Sequence, residues 1–159
     1  MWKMIRTYRE KDLEMIMDIW LQANLEAHDF IPSAYWKNNF ASVKELIPQA
    51  QVFVFEEKTE ILGFIGLTDD YIAGIFVKRG ARSRGIGRQL LDYAKAKYPC
   101  LSLDVYAENT SAVRFYEREG FHIIKEHIDE ENHLHEYTMR FQNQTVQGAA
   151  DADDNLRCL

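Results

Sequence analysis

Between residues 71 and 91 the sequence changes character twice, and few folds accept that order. Tyr71–Val77 is apolar throughout and reads as a strand buried on both faces. Lys78, Arg79, Arg82, Arg84 and Arg88 then place five positive charges and no negative one in eleven residues, around glycines at 85 and 87. From Ile86 the apolar positions Ile86, Leu90, Leu91, Ala94 and Tyr98 recur at helical spacing until Pro99 stops them. Glycines between a strand and a helix let backbone N–H groups approach a ligand with no Cβ in the way. The helix N-terminus adds about half a positive charge and four unpaired donors, so the pattern suits a pyrophosphate. The arginines can add charge-assisted hydrogen bonds. Taken alone, the stretch also reads as a tight strand-to-helix turn with a solvated basic face.

Two phosphate loops do not fit. No Gly-Lys-Ser/Thr follows, and Gly85-Ile86-Gly87 runs on to Leu90 where a dinucleotide loop needs a third glycine. The net charge of −6 weighs against a nucleic-acid partner. A basic loop on an acidic chain points to one compact anion.

The remaining elements are read from periodicity and turn residues. Residues 3–8 form a first strand. Residues 11–27 form a helix carrying Leu13, Ile16, Met17, Trp20, Ala23 and Ala27 on one face. Ser33 caps a second helix with Tyr35, Trp36, Phe40, Val43, Leu46 and Ile47 inward, and Pro48 ends it. Strands at 51–56 and 61–68 flank a hairpin turn, and Asp69-Asp70 is a second turn. Leu101, Leu103 and Val105 alternate with Ser102, Asp104 and Tyr106 in a strand at 101–106. Asn109 caps a helix that runs to Glu119 and stops at Gly120. Strands at 121–128 and 134–141 close the sheet as a hairpin. No internal repeat is present.

At 159 residues, with 47% apolar and 28% charged residues, the chain suits one globular domain over 1–142. Residues 143–159 lack periodicity and read as a disordered tail. Cys100 and Cys158 are expected to stay unbridged, which fits a reducing compartment. No signal peptide and no apolar run of about 20 residues is found, so a cytoplasmic protein without membrane partners is expected.

A second segment joins the first. Asn109, Ala112, Phe115, Tyr116, Gly120 and Phe121 follow the Asn-x-x-Ala-x-x-Phe-Tyr-x-x-x-Gly-Phe pattern, and Arg82-Ser83-Arg84-Gly85-Ile86-Gly87 follows Arg/Gln-x-x-Gly-x-Gly/Ala. Both motifs, in this order with a strand between them, resemble the GNAT superfamily of N-acetyltransferases. The agreement of elements runs from about residue 3 to 142, and the chain resembles small bacterial enzymes acting on protein lysines or other amines. The resemblance implies an α/β fold, with a mixed, mostly antiparallel sheet of about seven strands and helices on both faces. It implies acetyl-coenzyme A as cosubstrate and transfer of its acetyl group to a primary amine, with a protein or peptide lysine as first choice. Carried over residue by residue, Ile75, Phe76 and Val77 would pair with the pantetheine arm. Arg82, Ser83, Arg84, Gly85, Ile86, Gly87 and Arg88 would hold the pyrophosphate, Asn109 would reach the cofactor, and Tyr116 would stand by the sulfur.

Acyl transfer to an amine needs a neutral nucleophile, a stabilised oxyanion and a protonated leaving thiolate. Tyr116 can donate to the thiolate, because an ordinary phenol with pKa about 10 is protonated at neutral pH. The bland role for Tyr116 is aromatic packing, and for Asn109 the helix cap alone. Candidates for the base are Asp69, Asp70, Tyr71, Glu108 and His28. His133-x-His135 with His127 lacks a further ligand spacing, so no metal is expected. The runner-up readings are a small-amine or aminoacyl-tRNA acetyltransferase and a non-catalytic acyl-coenzyme A sensor. A monomer or homodimer is expected, without stable nucleic acid.

Overall fold

The computed structural model describes residues 3–143. In chain order the elements are β1 (Lys3–Thr7), a 3-10 turn at Glu10–Asp12, α1 (Leu13–Ala27), α2 (Ser33–Leu46), β2 (Gln51–Glu57), β3 (Glu60–Thr68), β4 (Tyr71–Val77), α3 (Ile86–Lys97), β5 (Cys100–Tyr106), α4 (Thr110–Arg118), β6 (His122–Ile128) and β7 (His135–Gln142). The seven strands form one mixed sheet in the order β1-β2-β3-β4-β5-β7-β6. Pairing is antiparallel within β1/β2, β2/β3, β5/β7 and β6/β7, and parallel for β4/β5. The mixed, mostly antiparallel seven-strand sheet of the sequence reading is therefore present. No helix among the described residues is long and apolar enough to cross a membrane.

The chain gathers into two compact units. Of the described residues, one unit comprises those up to Asp69 together with Ala73–Tyr93; the other comprises Asp70–Ile72 and those from Ala94 onward. In the first unit β3 is buried on both faces from Ile61 to Leu67, and it packs with Ile16, Met17, Val54, Phe55, Ile86, Leu90 and Leu91 in the core. The hairpin joining β2 and β3 turns on Lys58 and Thr59, both with φ in the left-handed region (52° and 67°), as the tight two-residue connection requires. Gly63 on β3 is needed for close approach. A Cβ there would meet the Phe76 carbonyl at 2.9 Å and the Ile86 side chain at 3.2 Å, so this glycine lets β4 and α3 settle onto β3. Trp20 on α1 meets Trp36 and Phe40 on α2 edge-on, which fixes the helix pair.

In the second unit β5 pairs along its whole length with β7. Leu101, Leu103 and Val105 are buried on one face, and Ser102, Asp104 and Tyr106 lie on the other, as their alternation predicts. Asn109 caps α4 through its side-chain oxygen, which accepts the Ala112 N–H at 3.3 Å, and Gly120 leaves the helix at φ 95°.

Several expectations need correction. Ser33 is the first helical residue and not the cap; Pro32 holds the cap position, and no side chain bonds the helix start there. Leu46 is 58% exposed while Ile47 is buried, so of the two apolar residues expected inward at the end of α2 only Ile47 turns to the core. β4 is not buried on both faces: only Ile72 is buried, and Gly74–Val77 are half-exposed. Its parallel pairing with β5 includes Tyr71↔Ser102 and Ile72↔Leu103. Cys100 is disulfide-bonded and not a free thiol. The tail reading falls on 143–159, and all of it beyond 143 lies outside the described residues; the Asn143 N–H donates to the Pro99 carbonyl at 2.7 Å.

Candidate functional site

In the first unit the loop after β4 begins with the Lys78 N–H bonded to the Leu62 carbonyl at 2.8 Å. A 3-10 turn at Arg79–Ala81 buries Ala81 and sends the chain back to α3. Gly85 has φ 79°, and its carbonyl accepts the Gln89 N–H at 3.1 Å, so it ends the loop and starts the helix. By helix geometry the amides of Ile86 and Gly87 precede the first closed helical bond. They lie where a helix dipole favours an anion. Ile86, Leu90 and Leu91 anchor the helix in the core and so hold its N-terminus in place.

Gly85 is required by its backbone angle and not by crowding, since a Cβ there would approach only Gln89 Nε2, at 4.0 Å. Alanine at this position should lower stability by about 1 kcal/mol, the cost of a left-handed angle for an L-residue. Gly80 has open space and no left-handed angle, so Gly80→Ala should be neutral or mildly stabilising. Urea midpoints of the two variants should therefore move apart. Equal midpoints would remove the backbone requirement.

The arginines of the loop are already engaged. Arg82 Nη1 sits 2.8 Å from Glu26 Oε2 on α1, with Arg79 3.8 Å from the same carboxylate. Arg84 Nη2 donates to both oxygens of Glu57 on β2, at 2.7 and 2.9 Å. Its hydrogen bond holds the Glu57 carboxyl below its ordinary pKa. Lys78 pairs with Glu60 at 2.9 Å. Solvent reaches the guanidinium of each pair and weakens it, so a phosphate can compete for these groups.

In the second unit Tyr116 lies on α4 and is 8% exposed. Its ring meets Phe115 at 5.2 Å and Phe121 at 5.5 Å, both edge-on. Burial pushes its phenol pKa upward, so the neutral donor form holds at and well above neutral pH.

The base candidates fare differently. Asp69 occupies a left-handed turn position, and the Asp70 carbonyl accepts the Ser102 N–H. Glu108 is exposed. His28 stacks on Trp36 at 5.1 Å with Phe30 edge-on, and burial pulls its pKa down to about 4. His133 lies in the turn before β7, and His135 faces Glu126, so the two residues of His133-x-His135 do not share a strand face. Tyr71 is the candidate that joins other functional groups. Its hydroxyl donates to Asp104 Oδ2 at 2.9 Å, and Thr138 donates to the other oxygen. His127 Nε2 lies 2.8 Å from Glu136 Oε1 and 4.0 Å from Asp104 Oδ1. Sequence reasoning missed Asp104 and Glu136. Alternation already placed Asp104 and Tyr106 on one face of β5, but only the registers Tyr106↔Glu136 and His127↔Glu136 bring the set together.

Residues 14–143 match the Acetyltransferase (GNAT) domain family. The peptidyl-lysine N-acetyltransferase YiaC of Escherichia coli K12 is 36% identical over 123 residues, covering 76% of this chain and 84% of that protein. The solution structure of apo-form YjaB from Escherichia coli superposes with a TM-score of 0.80 at 25% identity, covering 90% of this chain and 99% of that one. The Thermoplasma acidophilum PaiA N-acetyltransferase, crystallised with coenzyme A, shares the fold with a TM-score of 0.71 at 17% identity, over 89% of this chain and 99% of that one.

Proposed function

This chain belongs to the GNAT acetyltransferase family, and from that premise we propose that it transfers acetyl from acetyl-coenzyme A to the side-chain amine of a lysine in a protein or peptide. The choice of lysine is carried by one observation, the 36% identity to a peptidyl-lysine N-acetyltransferase over 76% of the chain. The residues present suit the cosubstrate. Gly74–Val77 are half-exposed extended backbone, and Gly85 opens a helix N-terminus beside arginines that solvent can reach.

When bound, acetyl-coenzyme A supplies the activated acyl group. Ile75, Phe76 and Val77 offer backbone groups to its extended arm, and the Ile75 N–H is the donor for the thioester oxygen. Gly85, Ile86 and Gly87 present the helix start to the pyrophosphate, with Ser83 completing the turn. Arg82, Arg84 and Arg88 add positive charge. Asn109 orders the start of α4, and Tyr116 donates a hydrogen bond to the sulfur as the thiolate leaves.

The test is direct. Acetyl-coenzyme A at millimolar concentration should raise the melting temperature, because a ligand bound only by the native state adds RT ln(1 + [L]/Kd) to stability. A lysine peptide incubated with it should gain an acetyl group by mass spectrometry. A folded sample with neither a thermal shift nor acetyl transfer would overturn the reading.

A further inference from the structure

We propose that Asp104, His127 and Glu136, with Tyr71 and Thr138 supporting Asp104, form the seat for the positively charged amine of the acceptor. This rests on the acetyltransferase reading and adds residues to it that neither of the two sequence motifs contains.

The set is built by strand register within the second unit. β5 and β7 place Asp104 opposite Thr138 and Tyr106 opposite Glu136, while β6 and β7 place His127 opposite Glu136. Residues two apart on a strand share a face. Asp104, Tyr106, Glu136, Thr138 and His127 therefore project to one side, and the Tyr71 hydroxyl reaches it from β4. One donor atom from each of Asp104, His127 and Glu136 lies within 4.8 Å of the other two. Their side chains are 29%, 29% and 18% exposed, so the set is partly covered yet reachable.

Its hydrogen-bonding capacity is not filled. An ionised carboxylate has about four acceptor sites. Asp104 uses one oxygen on Tyr71 and the other on Thr138, and Glu136 uses one on His127. Burial together with Asp104 and Asp129 raises the Glu136 pKa, against the pull of His127. Lys125 stands opposite Thr138 on the same face, and Tyr106 hydrogen-bonds Asp129 at the hairpin tip. Arg140, two residues from Thr138, lies on this face as well, but neither Lys125 nor Arg140 pairs with Asp104 or Glu136, whose remaining acceptor sites stay open. An alkylammonium brings a full charge and three donors to the open acceptor sites.

A metal ion fits the same atoms less well. At 2.8 Å the Nε2···Oε1 pair holds a proton between the two atoms, in the place a cation would take.

The experiment measures KM separately for the two substrates. Asp104→Asn and Glu136→Gln keep the shape and remove the charge. Each should raise KM for a lysine peptide about tenfold or more, the worth of a charge-assisted hydrogen bond. KM for acetyl-coenzyme A should stay within about twofold, and the melting temperature should be retained. An aromatic amine acceptor, uncharged at the assay pH, should lose less than about twofold in both variants. Unchanged peptide KM, or equal losses for the charged and uncharged acceptors, would overturn the seat. Zinc bound by the wild type and not by His127→Ala, with peptide KM unaltered in both carboxylate variants, would overturn it in favour of a metal. A wild-type protein that acetylates no amine would overturn the acetyltransferase reading instead. Calorimetry then decides on the seat alone: lysine-peptide binding weakened tenfold in Asp104→Asn supports it, and equal binding overturns it.

Discussion

Replacing Tyr116 by phenylalanine should lower kcat by about 10²–10⁴, the usual worth of a general acid, while the folded protein survives. The ring keeps its edge contacts with Phe115 and Phe121. Only a hydroxyl is lost, so stability should change by less than about 1 kcal/mol. KM for acetyl-coenzyme A should move little, because the bond to the leaving sulfur strengthens mainly in the transition state. Burial raises the phenol pKa above its ordinary value, while a thiol ionises near about 8.5. Complete proton transfer to the sulfur is therefore uphill, even to the released thiolate. The hydroxyl acts best through a hydrogen bond to the sulfur that strengthens as negative charge develops there. For the same reason no loss of kcat from Tyr116 ionisation should occur below about pH 10. If the ring served packing alone, the variant would show a lower melting temperature with nearly normal turnover. A kcat within threefold of wild type, with chemistry limiting, would remove Tyr116 from the catalytic set.

The two motifs were legible because each depends on residues close in sequence. Gly85 announces a left-handed turn before a helix, and Asn109 announces a helix start; both hold in the structure. Local alternation likewise placed Leu101, Leu103 and Val105 inward on β5. Features set by pairing over long distances were not legible. β4 is apolar throughout and reads as fully covered, but only Ile72 is buried, because what covers a strand's faces comes from elements distant in sequence that its own composition does not encode. The Asp104, His127 and Glu136 set depends on two registers, one of them between strands separated by α4 and β6. Ser33 shows a local signal overridden: Pro32, with φ fixed near its preferred value, takes the cap position and moves the serine into the first turn. The loop arginines are legible as phosphate ligands, but their carboxylate partners come from α1 and β2, far away in sequence.

Removal of one partner from the Arg6–Asp12 pair should destabilise the first unit by about 3–5 kcal/mol, because the other charge is then left buried and uncompensated. Arg6 and Asp12 are 8% and 5% exposed. The guanidinium meets the carboxylate through two parallel bonds of 2.8 and 3.0 Å, and donates a third to Glu56 Oε1 at 3.0 Å. The Arg9 N–H adds a bond of 2.8 Å to Asp12 Oδ2. The pair therefore ties β1 to the turn that opens α1, and through Glu56 to β2. Burial alone would raise the Asp12 pKa, but the hydrogen bonds from Arg6 and Arg9 outweigh it and hold the carboxyl below its ordinary value. A depressed carboxyl stabilises fully above its unfolded pKa, about 3.9, and loses that contribution as pH falls through the lower folded value. Wild-type stability should thus fall steeply below about pH 4. Asp12→Asn should start lower at neutral pH and fall less on acidification. Arg6→Met with Asp12→Leu should recover much of the loss, since an apolar pair of similar volume avoids the desolvation cost of both charges. Urea denaturation of the two single variants and the double variant at neutral pH completes the cycle. Single-variant losses below about 1 kcal/mol would show the pair to be as weak as an exposed one, and a double variant no more stable than the sum of the singles would show that the two charges act independently.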